Sequence, residues 1–232
     1  MYIIIITISK DGGMCGIVGL FLKDRTLDQE LGQLLSQMLI TMSDRGPDSA
    51  GIAIYGEPSK EESKITVQSS NHSEDFDVLE NIYEQEAWDN VRLSRKDNHA
   101  VITTDTVHLK NILTYINDHM SNLRIMSIGD SVEIYKETGL PAEVIKRFSI
   151  DHMSGTHGIG HTRMATESAV TTLGAHPFST GPDQCLVHNG SLSNHNNLRR
   201  DLIRDGISIE TDNDSEIAAA YLTNSMAKGI SL

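Results

Sequence analysis

The sequence predicts an α+β fold, and three observations support this prediction. Residues 15–22 (CGIVGLFL) and 50–55 (AGIAIY) are short apolar runs, which are typical of buried strands. Residues 28–43 repeat apolar side chains at helical spacing between those two runs. Residues 99–148 then combine strand-like and helix-like segments in one compact stretch. We therefore expect sheets covered by helices rather than a single type of element.

The first helix and the turn after it are the clearest local signals. The turn, residues 44–49 (DRGPDS), consists of residue types that favour chain reversal, and it leads into the second strand. The apolar stripe of the helix consists of Leu31, Leu34, Leu35, Met38, Leu39 and Met42.

An insertion is predicted at residues 57–150. Its first part, residues 57–98, is polar and carries no motif. We expect an α+β unit at about 99–148, which packs or docks at one edge of the main body and carries no chemistry. Its predicted elements are a strand at 99–105, a helix at 107–120, a hairpin of strands 123–129 and 131–137 around Gly129-Asp130, and a short helix at 141–148 with Pro141 in its first turn.

The main body resumes at about residue 151. Strands that run into polar ends are expected at 158–166 (GIGHTRMAT) and 184–189 (QCLVHN). A serine-rich cap introduces a helix within 191–207. Residues 212–215 cap a last helix at 216–226, and Asp212, Asn213 and Asp214 compete for the capping position.

Composition excludes several classes of protein. The chain has 232 residues, of which 38% are hydrophobic and 22% charged, as in ordinary globular proteins. Its net charge of −13 argues against binding to nucleic acid or to an anionic membrane. Two cysteines imply no disulfide framework, which fits a reducing cytoplasm. Ten histidines show no ligand spacing, because glycines interrupt residues 152–161, and we expect no metal site.

The first thirteen residues, MYIIIITISKDGG, precede the main pattern. Their apolar run is too short to span a membrane, and they lack the basic region and cleavage site of a signal peptide. A removable propeptide, a mis-called start codon and an additional β-strand all remain open. The mis-called start is favoured, because Met14 is a suitable initiator and the small Cys15 behind it favours removal of that methionine.

Cys15 is the most informative residue of the chain. If Cys15 becomes the first residue, its thiol and a free α-amine share one carbon. An α-amino group titrates near pH 8 and can serve as the base that a thiol nucleophile needs. The alternative is a small residue buried at the start of a strand. The segments downstream favour the chemical interpretation.

Four further segments occur in an informative order. They are Arg45-Gly46-Pro47-Asp48-Ser49-Ala50-Gly51, Gly160-His161-Thr162-Arg163-Met164-Ala165-Thr166, His188-Asn189-Gly190 and Asp214-Ser215-Glu216-Ile217. With Cys15-Gly16-Ile17-Val18-Gly19 in front, the chain resembles the class II glutamine amidotransferases over residues 14–56 and 154–226. Residues 154–200 are similar to the amidotransferase subunit of N-methylglutamate synthase and to glutamate-synthase-like relatives. This resemblance implies a four-layer αββα sandwich of the N-terminal-nucleophile type.

The resemblance also implies roles for individual residues. Cys15 would attack the side-chain amide of glutamine, and the amide of Asn189 with the N–H of Gly190 would form the oxyanion hole.

The remaining roles concern the head group of glutamine. Arg163 would clamp the α-carboxylate, Thr166 would support it, and Asp214 would bind the α-ammonium. Arg45 would support the nucleophile. The pair of Arg163 and Asp214 argues against a third interpretation, a stand-alone amidase for another amide.

The resemblance places other functions in a partner. We expect a hetero-oligomeric complex in which a synthase subunit carries flavin and an iron–sulfur cluster, while this chain carries no cofactor. A catalytically silent assembly subunit is the alternative if residues 1–14 are retained on Cys15. Two departures from the family pattern occur: Glu167 follows Thr166 where some members have histidine, and the family fold continues beyond Leu232, which predicts a shortened C-terminus.

Overall fold

The computed structural model describes residues 3–4, 15–85, 88, 90–165 and 169–230, with backbone only at 3–4 and 84–85. The strands of this part are β1 (Ile3–Ile4), β2 (Gly16–Phe21), β3 (Ser49–Tyr55), β4 (Glu62–Ser69), β5 (Arg92–Lys96), β6 (His99–Asp105), β7 (Leu123–Gly129), β8 (Val132–Thr138), β9 (His157–Arg163), β10 (Phe178–Gly181) and β11 (Gln184–Leu186). Its α-helices are α1 (Leu31–Ile40), α2 (His72–Gln85), α3 (Leu109–His119), α4 (Pro141–Phe148), α5 (His195–Arg204) and α6 (Asp214–Ala227).

The central sheet has the strand order β1-β2-β9-β3-β8, and its neighbouring strands are antiparallel. In its register Gly16 lies opposite Thr162, and Ser49 lies opposite Arg163. Because β9 runs against both of its neighbours, its end meets the starts of β2 and β3. This register places Cys15, the residue before β2, at the same sheet edge as Arg163.

Helices cover one face of the central sheet. The apolar stripe of α1 packs on the strands as predicted, and α4 lies beside it. Each fully buried aliphatic or aromatic side chain in this layer stabilises the fold by about 1.5–3 kcal/mol. The core here includes Val18, Leu35, Leu39, Ile52, Ile54 and Phe148.

The opposite face packs against the short β10–β11 sheet. Cys185 of β11 and Leu173 contact Ala53 and Ile134 of the central sheet. Helix α6 packs on β10 and β11, and α5 packs on α6. These antiparallel sheets and the helices packed on them confirm the predicted α+β class. The more specific N-terminal-nucleophile sandwich stays a prediction.

The segment predicted as an insertion builds a sheet of its own. Strands β5-β6-β4-β7 form this four-stranded sheet, and helices α2 and α3 pack on it around Ile65, Phe76 and Ile112. Strand β4 and helix α2 lie in the polar region where the sequence analysis found no motif. Phe76 and Leu79 are buried within that acidic helix, so a few apolar contacts decide its position.

The predicted hairpin around Gly129-Asp130 is wrong. Strand β7 pairs with β4, whereas β8 pairs with β3 in the central sheet. A distant carboxylate fixes this change of sheet, because Asp183 accepts the backbone N–H groups of Asp130 at 2.7 Å, Ser131 at 2.9 Å and Val132 at 3.1 Å. The N–H groups of residues 130–132 are therefore not available for hydrogen bonds between β7 and β8, as a hairpin would need.

Candidate active site

A cavity of about 780 Å³ opens at the sheet edge where β2 starts and β9 ends. It brings together five of the predicted site residues: Cys15, Arg163, Asn189, Gly190 and Asp214. Other described residues of its lining include Met164, Thr171, Gly174, His176, His188 and Thr211. Residues that are up to 199 positions apart in the chain therefore share one pocket.

Cys15 lies half-buried at the floor of this pocket. Its Sγ is 3.9 Å from the carbonyl oxygen of Met164. The next residue is anchored, because the Gly16 N–H donates to Thr162 Oγ1 at 3.1 Å and that hydroxyl donates to Met42 O at 3.2 Å. A Cβ at position 16 would come within 2.7 Å of the Met42 side chain, so glycine allows this close approach.

Asn189 reaches Cys15 directly. Its Nδ2 donates to the backbone oxygen of Cys15 at 2.9 Å. A side-chain amide has two N–H donors, so this contact leaves donor capacity for a substrate oxygen. Behind it, His161 Nε2 donates to His188 O at 3.1 Å and holds the segment that carries Asn189 and Gly190. Burial lowers the pKa of His161 to about 4, so this imidazole is neutral at pH 7.

Arg163 ends strand β9 and is buried except for 7% of its surface. Its Nη1 donates to Ala169 O at 3.3 Å. Asp48, which the sequence analysis quoted only as part of a motif, holds the following turn: its Oδ2 accepts the Ala165 N–H at 2.7 Å, and its own N–H donates to Arg163 O at 3.1 Å. The turn that carries Met164 is thus fixed from the start of β3.

Asp214 is the first residue of α6, but it is not the helix cap. Asn213 takes that position, because its side chain accepts the Ser215 N–H at 2.9 Å. Asp214 is left to face the pocket, where Oδ2 accepts the Leu192 N–H at 2.6 Å and Oδ1 lies 4.0 Å from His188 Nδ1. A carboxylate at a helix N-terminus is also favourably placed in the helix dipole.

Glu216 holds another wall of the pocket. This carboxylate is buried and accepts the N–H groups of Glu210 and Thr211, each at 2.7 Å, together with the Thr211 hydroxyl at 2.6 Å. Thr211 lines the cavity. In the sequence Glu216 belongs to the segment Asp214-Ser215-Glu216-Ile217 but has no predicted role, although a carboxylate in the first turn of a helix is a recognised anchor for preceding N–H groups.

The structure places His176, which carries no predicted role, in the pocket lining. Its ring stacks on His161 with 4.1 Å between centroids, and neither ring nitrogen has a hydrogen-bond partner among the residues that the structure describes. Burial holds the pKa of His176 well below its ordinary value, and the nearby His161, Lys136 and Arg163 act in the same direction. The imidazole is therefore neutral at pH 7.

The described set does not include two of the predicted site residues. Thr166 falls outside the described residues. Arg45 ends a short 3₁₀ turn (Ser43–Arg45) and is not among the described residues of the lining. Gly46, the residue after this turn, packs closely on the end of β9 that carries Arg163: a Cβ added at Gly46 would come within 2.4 Å of the Thr162 carbonyl carbon.

Metal sites and membrane-spanning helices can be assessed for the described part of the chain. Within it, no group of three or more His, Cys, Asp or Glu side chains is arranged to hold a metal ion. Among its helices, none is long and apolar enough to cross a bilayer.

Comparison with known proteins identifies the family. Residues 149–229 match a family described as "glutamine amidotransferase domain". The glutamine amidotransferase-like protein GlxB of Rhizobium meliloti (strain 1021) is 62% identical over 216 residues, which is 93% of this chain and 71% of that protein. The chain belongs to the glutamine amidotransferase family. The family match contains Arg163, Asn189, Gly190 and Asp214, and the fold adds Cys15 to them.

More distant relatives share only a part of the chain. The glutamine–fructose-6-phosphate aminotransferase of Mesorhizobium japonicum is 40% identical over 86 residues, which is 37% of this chain and 14% of that enzyme. The corresponding enzyme of Methanococcus maripaludis is 36% identical over 94 residues, which is 40% of this chain and 16% of that enzyme. A glutamine amidotransferase domain is thus the part that these proteins have in common.

Proposed function

We propose that this chain is a class II glutamine amidotransferase subunit that hydrolyses L-glutamine to glutamate and ammonia. The proposal rests on one contact: Asn189 Nδ2 donates to Cys15 O at 2.9 Å. Arg163 and Asp214 line the same pocket as these two residues. Nucleophile, oxyanion donors and both head-group partners of an amino acid then belong to one cavity. Family membership supports the same activity.

The chemistry proceeds through a thioester. The Cys15 thiol passes its proton to the α-amine, and the thiolate attacks the side-chain carbonyl carbon of glutamine. Asn189 and Gly190 N–H groups stabilise the tetrahedral oxyanion. Its collapse breaks the C–N bond, the amide nitrogen takes the proton back, and ammonia leaves. Water then attacks the thioester, which releases glutamate and restores the thiol.

The head group of the substrate sets the specificity. The planar guanidinium of Arg163 suits a carboxylate, and the carboxylate of Asp214 suits an ammonium. Both line the pocket together with Cys15. An amide without the amino-acid head would make neither of these two contacts, and its kcat/KM should therefore be much lower.

We further propose a synthase partner for the released nitrogen. The resemblance of residues 154–200 to the amidotransferase subunit of N-methylglutamate synthase supports a glutamate-synthase-like subunit that carries flavin and an iron–sulfur cluster. The two subunits would form a hetero-oligomer in the cytoplasm. Co-purification of such a flavoprotein with the tagged chain tests this part of the proposal, and isolation of the chain alone from its native cells counts against it.

A catalytically silent subunit is the second candidate, and one observation favours it. Ile3 and Ile4 pair with Phe21 and Leu20, so residues before Cys15 extend the edge of the central sheet. If those residues stay attached, Cys15 has an amide nitrogen instead of an amine and lacks its base.

One experiment separates these functions. The purified protein is analysed by intact mass, by glutamate release from L-glutamine and from simple amides, and by labelling with a diazoketone analogue of glutamine. A mass that begins at Cys15, glutamine-selective hydrolysis and a label on Cys15 support the proposal. C185A, which removes the other cysteine, is the matched control and should keep activity and labelling. A retained leader without turnover supports the silent subunit, and preference for simple amides refutes glutamine as the substrate.

A further inference from the structure

A buried lysine next to the pocket binds three backbone carbonyls. Lys136 lies on β8, is only 5% exposed, and its Nζ donates to the oxygens of Leu173 at 3.1 Å, Ala175 at 2.9 Å and Pro177 at 3.2 Å. The ammonium also lies 4.5 Å from the ring centroid of Phe178. Its three N–H donors are matched by three acceptors, which is the arrangement that a buried ammonium requires.

These three carbonyls belong to one wall of the pocket, residues 171–177. Thr171, Gly174 and His176 of this wall line the cavity. The wall lies against the proposed carboxylate clamp, because a Cβ at Gly174 would be 3.3 Å from Arg163 Nη1. A displacement of the wall therefore changes the space around that guanidinium.

The next residue of β8 holds the same wall. Glu137 Oε1 accepts the hydroxyl of Thr172, and its Oε2 accepts Asn98 Nδ2 at 2.6 Å. Asn98 lies in the turn between β5 and β6, so this carboxylate also connects the wall to the four-stranded sheet. Lys136 thus binds backbone carbonyls of this wall, and Glu137 binds a side-chain hydroxyl of it. Two residues of opposite charge therefore hold the same short segment.

We propose that Lys136 and Glu137 are positioning residues that hold the pocket wall, residues 171–177, in the shape needed by the head group of glutamine. This proposal rests on the proposed function for its substrate. Neither residue lines the described pocket, so each acts through the wall. Without the ammonium, three buried carbonyls lose their donor, and the wall must move until they find water or other N–H groups.

The test compares K136M with wild type in two measurements. Amide hydrogen exchange of the peptide that covers residues 171–177 should become faster. KM for glutamine should rise by about tenfold, the effect of losing one well-placed interaction, with a smaller change in kcat. K64M is the matched control, because Lys64 likewise has a close partner for its ammonium, Glu133 at 2.6 Å, but neither residue lines the pocket. It should change neither measurement.

A second variant keeps the test decisive if K136M does not fold. T172V removes the hydroxyl that Glu137 accepts and keeps the side-chain shape, and it should accelerate exchange of the same peptide with a smaller rise in KM. Unchanged exchange of residues 171–177 in a folded K136M or in T172V would overturn the proposal. Lower stability with unchanged KM would also overturn it. A wild type without glutaminase activity would refute the proposed function alone, since the exchange comparison needs no turnover.

Discussion

Mild acid should unfold this protein through its buried histidines. Burial lowers the pKa of His99 to about 3 and of His161 to about 4, whereas an exposed imidazole titrates near 6.5. Below pH 6.5 the unfolded chain binds protons that the folded chain does not, so acid favours unfolding. The stabilisation is fully present above pH 6.5 and is lost as pH falls toward these folded-state values. His176, whose pKa is also lowered by burial, acts in the same direction.

The size of the effect follows from those two values. Each such histidine changes the free energy of unfolding by about 1.4 kcal/mol per pH unit while only the unfolded state is protonated. Between pH 6.5 and 4.5, His99 and His161 together remove roughly 5 kcal/mol. The total stability of a domain is typically about 5–15 kcal/mol, so the protein should be marginal or unfolded at the lower pH.

A single substitution, H99F, tests the contribution of one of these histidines to the pH dependence of stability. His99 is not among the described residues of the pocket lining and packs edge-on against Phe148 with 4.7 Å between ring centroids, so H99F keeps an aromatic ring there. Its lost bond to Asn98 Oδ1, 2.8 Å in the native protein, lowers the stability at pH 7 by about 1–3 kcal/mol. The predicted quantity is the slope of unfolding free energy against pH, which should decrease by about 1.4 kcal/mol per unit.

Urea denaturation at several pH values between 5 and 7 measures that slope. H152Q is the control, because it removes a histidine whose side chain is 83% exposed. The slope of H152Q should match that of wild type. A slope in H99F equal to that of wild type would show that the proton taken up on acid unfolding does not go to position 99, and the argument from burial would be refuted.

Three further predictions concern the pocket and its supports. C15A should lower kcat by about 10⁴-fold or more while the urea midpoint stays near that of wild type, and near-normal turnover would refute the nucleophile. N189A should lower kcat by about 10²–10³-fold in steady-state assays, whereas an effect on KM alone would contradict an oxyanion role. D183N should lower the urea-derived stability by about 1–3 kcal/mol, because one of the two accepting oxygens becomes an amide nitrogen and at least one N–H group of residues 130–132 loses its acceptor. An unchanged midpoint would argue against that anchor.

Local pattern was sufficient for the elements closest to the site. The apolar run after Cys15 and the stripe of the first helix correspond to β2 and α1, because burial of one face imposes a period on the sequence. The turn at 44–49 and the polar ends of β9 and β11 were visible as composition. The pocket brings together residues from these segments, although their roles stay predictions. These features depend on neighbours within a few positions, which a sequence displays directly.

Other features depend on partners that are remote in the chain. Strands β7 and β8 look like a hairpin, yet Asp183 binds the N–H groups of the residues between them and each strand joins a different sheet. Lys136 sits in a strand-like run with no signal that its ammonium reaches the carbonyls of Leu173, Ala175 and Pro177. Glu216 likewise accepts the hydroxyl of Thr211, a pocket residue outside that wall.

The sequence by itself determined which functional groups are available for the proposed reaction, namely a cysteine thiol, an amide, a guanidinium and a carboxylate. The tertiary structure alone decided which buried charges hold the pocket around them. A buried charge is stable only when donors or acceptors surround it in three dimensions, and those partners come from segments whose proximity no local pattern encodes.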